Sequence, residues 1–387
     1  MGRLFLVLQQ FDPDAGSYSA VFRRLAEHAT KQGYSVTITC DRKTGQPAEE
    51  LTAYATIRRF PSIRAPVFSM IIAALRRAHN TRAYFKTVTL TSDDIIIANG
   101  EAALGLAGLP YVLRAGDQPA NTFLENMQRG KVRFISRIAR RIHILFQSII
   151  EKRVLRKANG LIFASSETRD LFVQTYALRT TPWFVPRSGI EPRPIRATPK
   201  KMSLLFIADA HDRIRKGAQD LEQALPTLFD EFKELMLIHV GQPFTWDVPA
   251  WCQNRIRSVG RIPWDAIHEY YEQASIVVSC SLSEGFPNVI LEAMAAGKPI
   301  VTSDINGINE YLEDGIEGLV YHKGAIDELI EKVRFLLKNP GRARSVGRAA
   351  KTRIRALAYP VYERAVLEFA RQVRQGRAQD FNLLKRS

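Results

Sequence analysis

Two carboxylates, Glu284 and Glu292, stand with seven residues between them in SLSEGFPNVILEAMAAGKPI, residues 281–300. The first falls in a Gly-containing loop and the second a little over a turn into the helix that follows. The loop Gly285-Phe286-Pro287-Asn288-Val289 runs into the helix start, where the first backbone N–H groups have no internal partner and the dipole favours an anion. Gly285 lets backbone approach a ligand closely. Pro287 loses nothing at a first turn, because its missing N–H would have been unpaired there. A phosphate suits such a mouth. The glutamates repel phosphate and instead suit hydroxyl donors, which a ribose and a hexose supply. A nucleotide-sugar, anionic in the middle and hydroxylated at both ends, meets both demands. The plain alternative is two solvated glutamates on an amphipathic helix; the loop and its flanking strands weigh against it.

A second cluster is cationic. The apolar run Ser203–Ile207 reads as a strand, Ala208–Lys216 as a loop, and about Gly217–Phe232 as a helix. The loop holds Arg213, Arg215 and Lys216, and fixed cations stabilise the charge that builds on a departing diphosphate. A basic loop facing water is the competing reading.

These residues need a frame. Ile276–Cys280 and Pro299–Thr302 read as strands on either side of the Glu292 helix, a parallel βαβ unit of the kind that binds ligands at the carboxyl ends of its strands. The first half repeats the theme. Strands are expected at Leu4–Leu8, Ser35–Thr39, Ile95–Ala98, Tyr111–Leu113, Leu161–Ala164 and Trp183–Val185, with a helix over about 17–32 that stops at Gly33. Alternating strands and helices imply parallel sheets with helices on both faces. Arg187–Pro194, rich in Pro and Gly, reads as a linker. A fresh series starts at Leu204, so the 387 residues divide into a domain over 1–193 and another over 194–360. After Tyr359-Pro360 the chain end reads as a kinked helix.

The run Glu284–Val301 resembles the signature of the retaining glycosyltransferases of family 4, a Glu-x7-Glu pattern carried on the GT-B fold. That resemblance implies two facing Rossmann-like domains and a crossover helix at 361–387 returning to the first. It implies that Glu284 contacts the donor sugar, that Gly285, Phe286, Pro287, Asn288 and Val289 lie along the diphosphate and sugar, and that Glu292 binds the ribose. Lys216, followed by Gly217, matches a basic pair that neutralises the diphosphate. The position of the accompanying arginine reads Ala208-Asp209-Ala210-His211 here, which leaves Arg213 and Arg215 as the choices. Gly16 matches a Gly-rich loop near the donor phosphates, with one glycine where the family often has two. Leu113–Asp117 resembles a strand-end motif facing the sugar. Asp117 thereby joins Glu284 and Lys216 as a catalytic candidate, with an ordinary turn or cap as its alternative. Asn99 and Glu101 read as acceptor contacts or as a helix cap. The resemblance further implies retention of anomeric configuration, no metal and no cofactor beyond a UDP- or GDP-linked donor as substrate. No protein nucleophile is evident, and the leaving phosphate itself takes the acceptor proton. Base selection is expected around Val259–Ile262.

Charge adds a partner. The formal net charge is +16, with a pI near 9.9. Between Arg129 and Lys157 stand ten Arg and Lys against one acid, Glu151, with apolar residues interleaved at helical spacing. Ile57–Leu90 holds Arg58, Arg59, Arg64, Arg76, Arg77, Arg82 and Lys86 and no acid. Such stretches suit an anionic membrane surface, where each cation near the headgroups contributes about 1 kcal/mol, although an apolar stripe facing the core is the ordinary alternative. Nucleic acid, which also draws basic proteins, is set aside for want of a helix-turn-helix, zinc or RNP-like motif. The expectation is a hexosyl- or N-acetylhexosaminyl-transferase acting on a saccharide or glycolipid of the lipopolysaccharide or cell-envelope kind. It would sit in the cytoplasm, peripheral on the inner face of the membrane. A nucleotide-sugar epimerase, a glycan phosphorylase and a non-catalytic basic adaptor are the rival readings. Met1–Leu8 reads as a first buried strand rather than a signal peptide, and no apolar run approaches the ~20 residues a membrane helix needs. Cys40, Cys252 and Cys280 are too scattered for a disulfide framework or metal site, and they read as buried small hydrophobes in a reducing cytosol.

Overall fold

Short β-branched runs punctuated by Gly and Pro favour buried parallel strands over helices. The computed structural model describes residues 2–12, 16–62, 69–116, 119, 134–178, 181–186, 201–263, 266–284, 288–305, 307–355 and 361–378, and in it those runs form two sheets. The chain folds as two compact units, Met1–Arg187 with Tyr362–Ser387, and Ser188–Val361.

The first unit contains β1 (Arg3–Val7), β2 (Ser35–Arg42), β3 (Glu49–Leu51), β4 (Thr56–Pro61), β5 (Ile95–Asn99), β6 (Val112–Arg114), β7 (Gly160–Ile162) and β8 (Trp183–Phe184). They lie in the order β3-β4-β2-β1-β5-β6-β7-β8. Every pairing is parallel except β3 with β4. The described helices are α1 (Gly16–Lys31), α2 (Ser69–Lys86), α3 (Phe134–Lys157) and α4 (Ser166–Tyr176), with a 3₁₀ segment over Gly100–Leu106. Ser165 caps α4 by accepting the Thr168 N–H at 3.0 Å, which satisfies an otherwise orphaned donor.

The second unit contains β9 (Ser203–Ile207), β10 (Met236–Val240), β11 (Ile256–Gly260), β12 (Ile276–Ser279), β13 (Ile300–Ser303) and β14 (Leu319–Tyr321). Its sheet is parallel throughout, in the order β11-β10-β9-β12-β13-β14. Helices α5 (Ala218–Glu231), α6 (Ala250–Gln253), α7 (Ile267–Gln273), α8 (Asn288–Ala295), α9 (Ile326–Lys338) and α10 (Pro340–Arg355) connect and cover it. Leu204 and Phe206 of β9, Val278 of β12 and Leu221 and Leu225 of α5 are buried together in its core. The last helix, α11 (Val361–Arg374), belongs to the first unit. There Phe369 meets Phe184 at 5.4 Å between ring centroids, and Arg374 donates to the carbonyls of Asp94 and Thr91. Residues 356–360, where a kink is expected, lie outside the described residues.

Both sheets reverse their strand order about their first strand, and a crevice opens at the carboxyl ends where the order reverses. In the first unit this point lies between β1 and β5, in the second between β9 and β12. The βα alternation read from the sequence is present in both units, with strand ends shifted by a few residues. The β3–β4 hairpin is an addition to that reading. Glu49, Glu50 and Leu51 of β3 are exposed or half-buried and carry no apolar alternation. Among the described residues no helix is long and apolar enough to cross a membrane.

Candidate active site

The loop after β9 and the loop after β12 meet at the switch point of the second unit. Gly217 makes the meeting possible. Its φ is +66°, and a Cβ there would lie 1.7 Å from the carbonyl oxygen of Cys280. Only glycine allows that approach and that backbone angle together. The Leu282 N–H then donates to the carbonyl of Arg215 at 2.8 Å, and the two loops are stitched side by side.

Glu284 is the focus of this junction. It is 7% exposed. Its Oε1 accepts from Lys216 Nζ at 2.5 Å and from the Ser281 hydroxyl at 2.6 Å, and its Oε2 accepts from Arg215 Nη1 at 3.1 Å. Arg215 also donates to Asp212 through Nε and Nη2, at 3.2 and 2.8 Å, and to the carbonyl of Ser283. Burial alone would raise the carboxyl pKa of Glu284. The charges of Lys216 and Arg215, with the hydrogen bonds from Lys216 and Ser281, outweigh it and hold the group below the ordinary glutamate range. Asp212 follows the same pattern, with Arg215 the main opponent of burial. An ionised carboxylate has about four acceptor positions, and three donors among the described residues reach this one.

The choice between the two arginines resolves geometrically. Arg215 shares Glu284 with Lys216. Arg213 is turned elsewhere: it pairs with the buried Glu222 at 2.7 Å and lies 5.3 Å from the centroid of Phe244. Glu222 also accepts the N–H of Asp247 at 3.0 Å, so Arg213 ties the 242–247 loop to α5. Of the two arginines left open by the sequence, Arg213 is held here by a buried carboxylate and Arg215 stands beside Lys216 on Glu284. The alternative of a wholly solvated basic loop, and of a solvated Glu284, does not hold for these side chains. Lys216, Arg215 and Glu284 satisfy one another largely out of water.

Glu292 sits on the first turns of α8 and is half-buried. Its Oε2 accepts from the Tyr271 hydroxyl at 2.8 Å, and the same hydroxyl lies 3.2 Å from the carbonyl of Val289. Burial, the adjacent carboxylate and the hydrogen bond to it all push the Tyr271 phenol well above its usual range. Asn288 and Val289 open α8. Gly285, Phe286, Pro287 and Asp117 lie outside the described residues. Gly16 is the first residue of α1.

Sequence reading missed Ser281, Asp212 and Tyr271. Ser281 and Asp212 stand three and four residues from Glu284 and Lys216, near enough to have been considered. Tyr271 carries no local signal. A further ion pair at the same edge joins Arg261, from the segment read as base-selecting, to Asp209 at 2.8 Å. Burial would raise the Asp209 pKa, but Arg261 and the Gln242 N–H bring it below the ordinary range. At the switch point of the first unit, Arg77 of α2 joins Asp41 of β2 and Glu101, each at 2.7 Å. Asn99 makes no cap bond there, and its Oδ1 accepts from Arg114 at 3.0 Å.

The profile described as Glycosyltransferase Family 4 matches residues 19–193, and that of the glycosyl transferases group 1 matches residues 201–339. An uncharacterised glycosyltransferase of Methanocaldococcus jannaschii is 32% identical over 98 residues, which are 25% of this chain and 28% of that protein. The chain thus spans under a third of that relative. The alpha-maltose-1-phosphate synthase of Mycolicibacterium smegmatis is 25% identical over 327 residues, 76% of this chain and 80% of the relative. The lipopolysaccharide 1,6-galactosyltransferase of Salmonella typhimurium is 33% identical over 156 residues, 37% and 41% of the two chains. Among solved structures, the sucrose-phosphate synthase of Thermosynechococcus elongatus superposes with a TM-score of 0.77 at 17% identity, covering 97% of this chain and 100% of that one. WaaG, a glycosyltransferase involved in lipopolysaccharide biosynthesis, gives 0.72 at 17% identity, covering 96% and 99%. At these identities the structural likeness is one of fold, and the fold is that of the GT-B glycosyltransferases. Within that class, the chain belongs to glycosyltransferase family 4.

Proposed function

We propose that this chain moves a sugar, with retention of anomeric configuration, from a UDP- or GDP-linked donor to a saccharide or glycolipid acceptor of the lipopolysaccharide or cell-envelope class. The observation that carries this reading is the gathering of Lys216 and Arg215 on the buried Glu284 at the switch point between β9 and β12. Cations there stabilise the diphosphate as charge develops on it, and the start of α8 adds unpaired N–H groups. Glu284 accepts one sugar hydroxyl. Glu292 grips the ribose. Gly285, Phe286, Pro287, Asn288 and Val289 line the donor. The bond from the reacting carbon to the diphosphate oxygen breaks, the acceptor oxygen bonds to the same face, and its proton passes to the leaving phosphate. No step needs a metal or cofactor. The lipopolysaccharide 1,6-galactosyltransferase among the relatives is the support for an envelope acceptor.

Peripheral contact with the inner face of the membrane belongs to the same proposal. Ile72 and Leu75 of α2 and Leu145 and Ile149 of α3 are each half or more exposed, and exposed Arg76, Lys152 and Arg153 neighbour them in sequence. Arg59 and Arg77 contribute nothing there, since both are turned into ion pairs with Glu50, Asp41 and Glu101.

Thermal-shift screening against UDP-, GDP- and ADP-sugars is the direct test. One base is expected to raise Tm in the wild type and not in Lys216→Ala, and NMR of the transferred sugar is expected to show the donor's anomeric configuration. No shift with any donor, or an inverted product, contradicts the reading. Flotation with anionic vesicles tests the membrane contact, and absence of binding removes it.

A further inference from the structure

Helix α7 depends on its neighbours for its position: Tyr271 is buried, and the Gln273 carbonyl accepts from the Ser203 hydroxyl at 2.7 Å. The helix has seven residues, and isolated helices of that length are unstable in water. Yet Tyr271 projects from it to the Glu292 carboxylate. Something must fix the helix for that hydroxyl to matter. Its last carbonyls are the obvious handle, since a helix end carries unpaired acceptors and a partial negative charge that favour a cation.

Lys298 supplies the cation. It is 6% exposed, and its Nζ donates to the carbonyls of Glu272 and Ala274 at 2.9 and 3.0 Å. Those groups directly follow Tyr271 and end α7. Lys298 reaches them because of how α8 stops. Gly297 has φ +65°, its N–H donates to the carbonyl of Met294, and the Lys298 N–H donates to that of Ala293. This pair of bonds is a Schellman turn. Gly347 of α10 packs against it so closely that a Cβ on Gly347 would lie 2.2 Å from the Gly297 carbonyl oxygen. The contacts close a circuit. Helix α8 carries Glu292, its terminal turn aims Lys298 at the end of α7, and α7 returns Tyr271 to Glu292.

We infer that Tyr271 and Lys298 are positioning residues that set the direction of the Glu292 carboxylate, and through it the affinity and ribose selectivity of the donor site. This rests on the reading of Glu292 as the ribose group. Neither residue is assigned a contact with the reacting atoms, so the effect falls on donor binding rather than on the chemical step.

The test uses calorimetric binding of UDP, GDP and ADP, with their 2′- and 3′-deoxy counterparts, to the full chain and to Tyr271→Phe, Lys298→Met and Glu292→Gln. Wild type is expected to prefer the ribose form of one base. Tyr271→Phe is expected to weaken that form about tenfold, the size of a hydrogen bond to a charged group, and to narrow the ribose-to-deoxyribose ratio. Lys298→Met is expected to shift both in the same direction by less. Turnover at saturating donor should stay within about twofold, the pattern of an interaction made equally in ground and transition states. The double variant Tyr271→Phe with Glu292→Gln should bind no more weakly than Glu292→Gln alone. Narrowed selectivity in Glu292→Gln with none in Tyr271→Phe overturns the inference and leaves the ribose reading standing. Unchanged selectivity in Glu292→Gln overturns both.

Discussion

At the carboxyl edge of the second unit two cations and two carboxylates form a chain, Glu284 holding Lys216 and Arg215, and Arg215 also holding Asp212. At the matching edge of the first unit one guanidinium gathers two carboxylates, Arg77 holding Asp41 and Glu101. The two sheets share the same reversal of strand order. Topology thus fixes where polar groups converge, and the side chains at the strand ends fix the sign of what they can receive. An edge that presents ammonium and guanidinium donors beside a helix start favours an anion. An edge with a surplus carboxylate disfavours one. The backbone differs as well. Gly217 brings two loops of the second unit into direct contact, whereas Gly100, just after β5, has φ +52° and nothing within 4 Å of its Cβ position.

The glycines give the largest expected contrast. Gly217→Ala drives a methyl into the Cys280 carbonyl and should destabilise the second unit by at least about 3 kcal/mol, or prevent its folding. Gly100→Ala faces open space and should cost about 1 kcal/mol, the strain of its backbone angle alone. Urea unfolding of both variants checks this, and equal losses would break the comparison. Next, Lys216→Ala should reduce transfer turnover by roughly 100-fold, as for a lost group that stabilises developing charge. Arg77→Met should lower stability by about 2 kcal/mol by leaving two half-buried carboxylates unpaired, with donor Kd unchanged. Donor titration and chemical denaturation of each variant separate the two roles.

The smallest effect concerns pH. Burial pushes the Lys298 ammonium down to about 8 from an ordinary 10.5, against a weaker opposing pull from Glu272. The folded chain releases this proton before the unfolded chain does. Between pH 8 and 10.5 the unfolded state binds more protons at this residue, so its contribution to stability rises with pH across that window. Stability curves of the wild type and Lys298→Met should diverge there, the wild type gaining on the variant. Parallel curves would show that burial does not lower the pKa of this lysine in the folded chain.

Much of this fold is legible in the chain because parallel strands buried on both faces read as apolar runs, as β1, β5, β9 and β12 do. Glu284, Lys216 and Gly217 are legible for a different reason: their chemistry is local to a strand end. What escaped the sequence is pairing at long range. Arg213 and Arg215 are two residues apart in an irregular loop, and no periodicity says which turns toward Glu284 and which toward Glu222. Tyr271 and Lys298 look like ordinary surface residues of an amphipathic pattern until their partners are known. Arg59 and Arg77 sit in a basic stretch that reads as solvated surface. Their carboxylate partners lie on β3, at the end of β2 and after β5, so the local charge count overstated the exposed cation there.

The proposed site holds an anion at the β9–β12 switch point between Lys216, Arg215 and the start of α8. Titration calorimetry of UDP, GDP and ADP into wild type and Lys216→Met, at low and high salt, tests it most directly. One nucleoside diphosphate should bind the wild type, lose at least about tenfold in affinity in the variant, and show a weaker salt dependence there. Equal affinity and equal salt dependence in the two proteins would contradict the account.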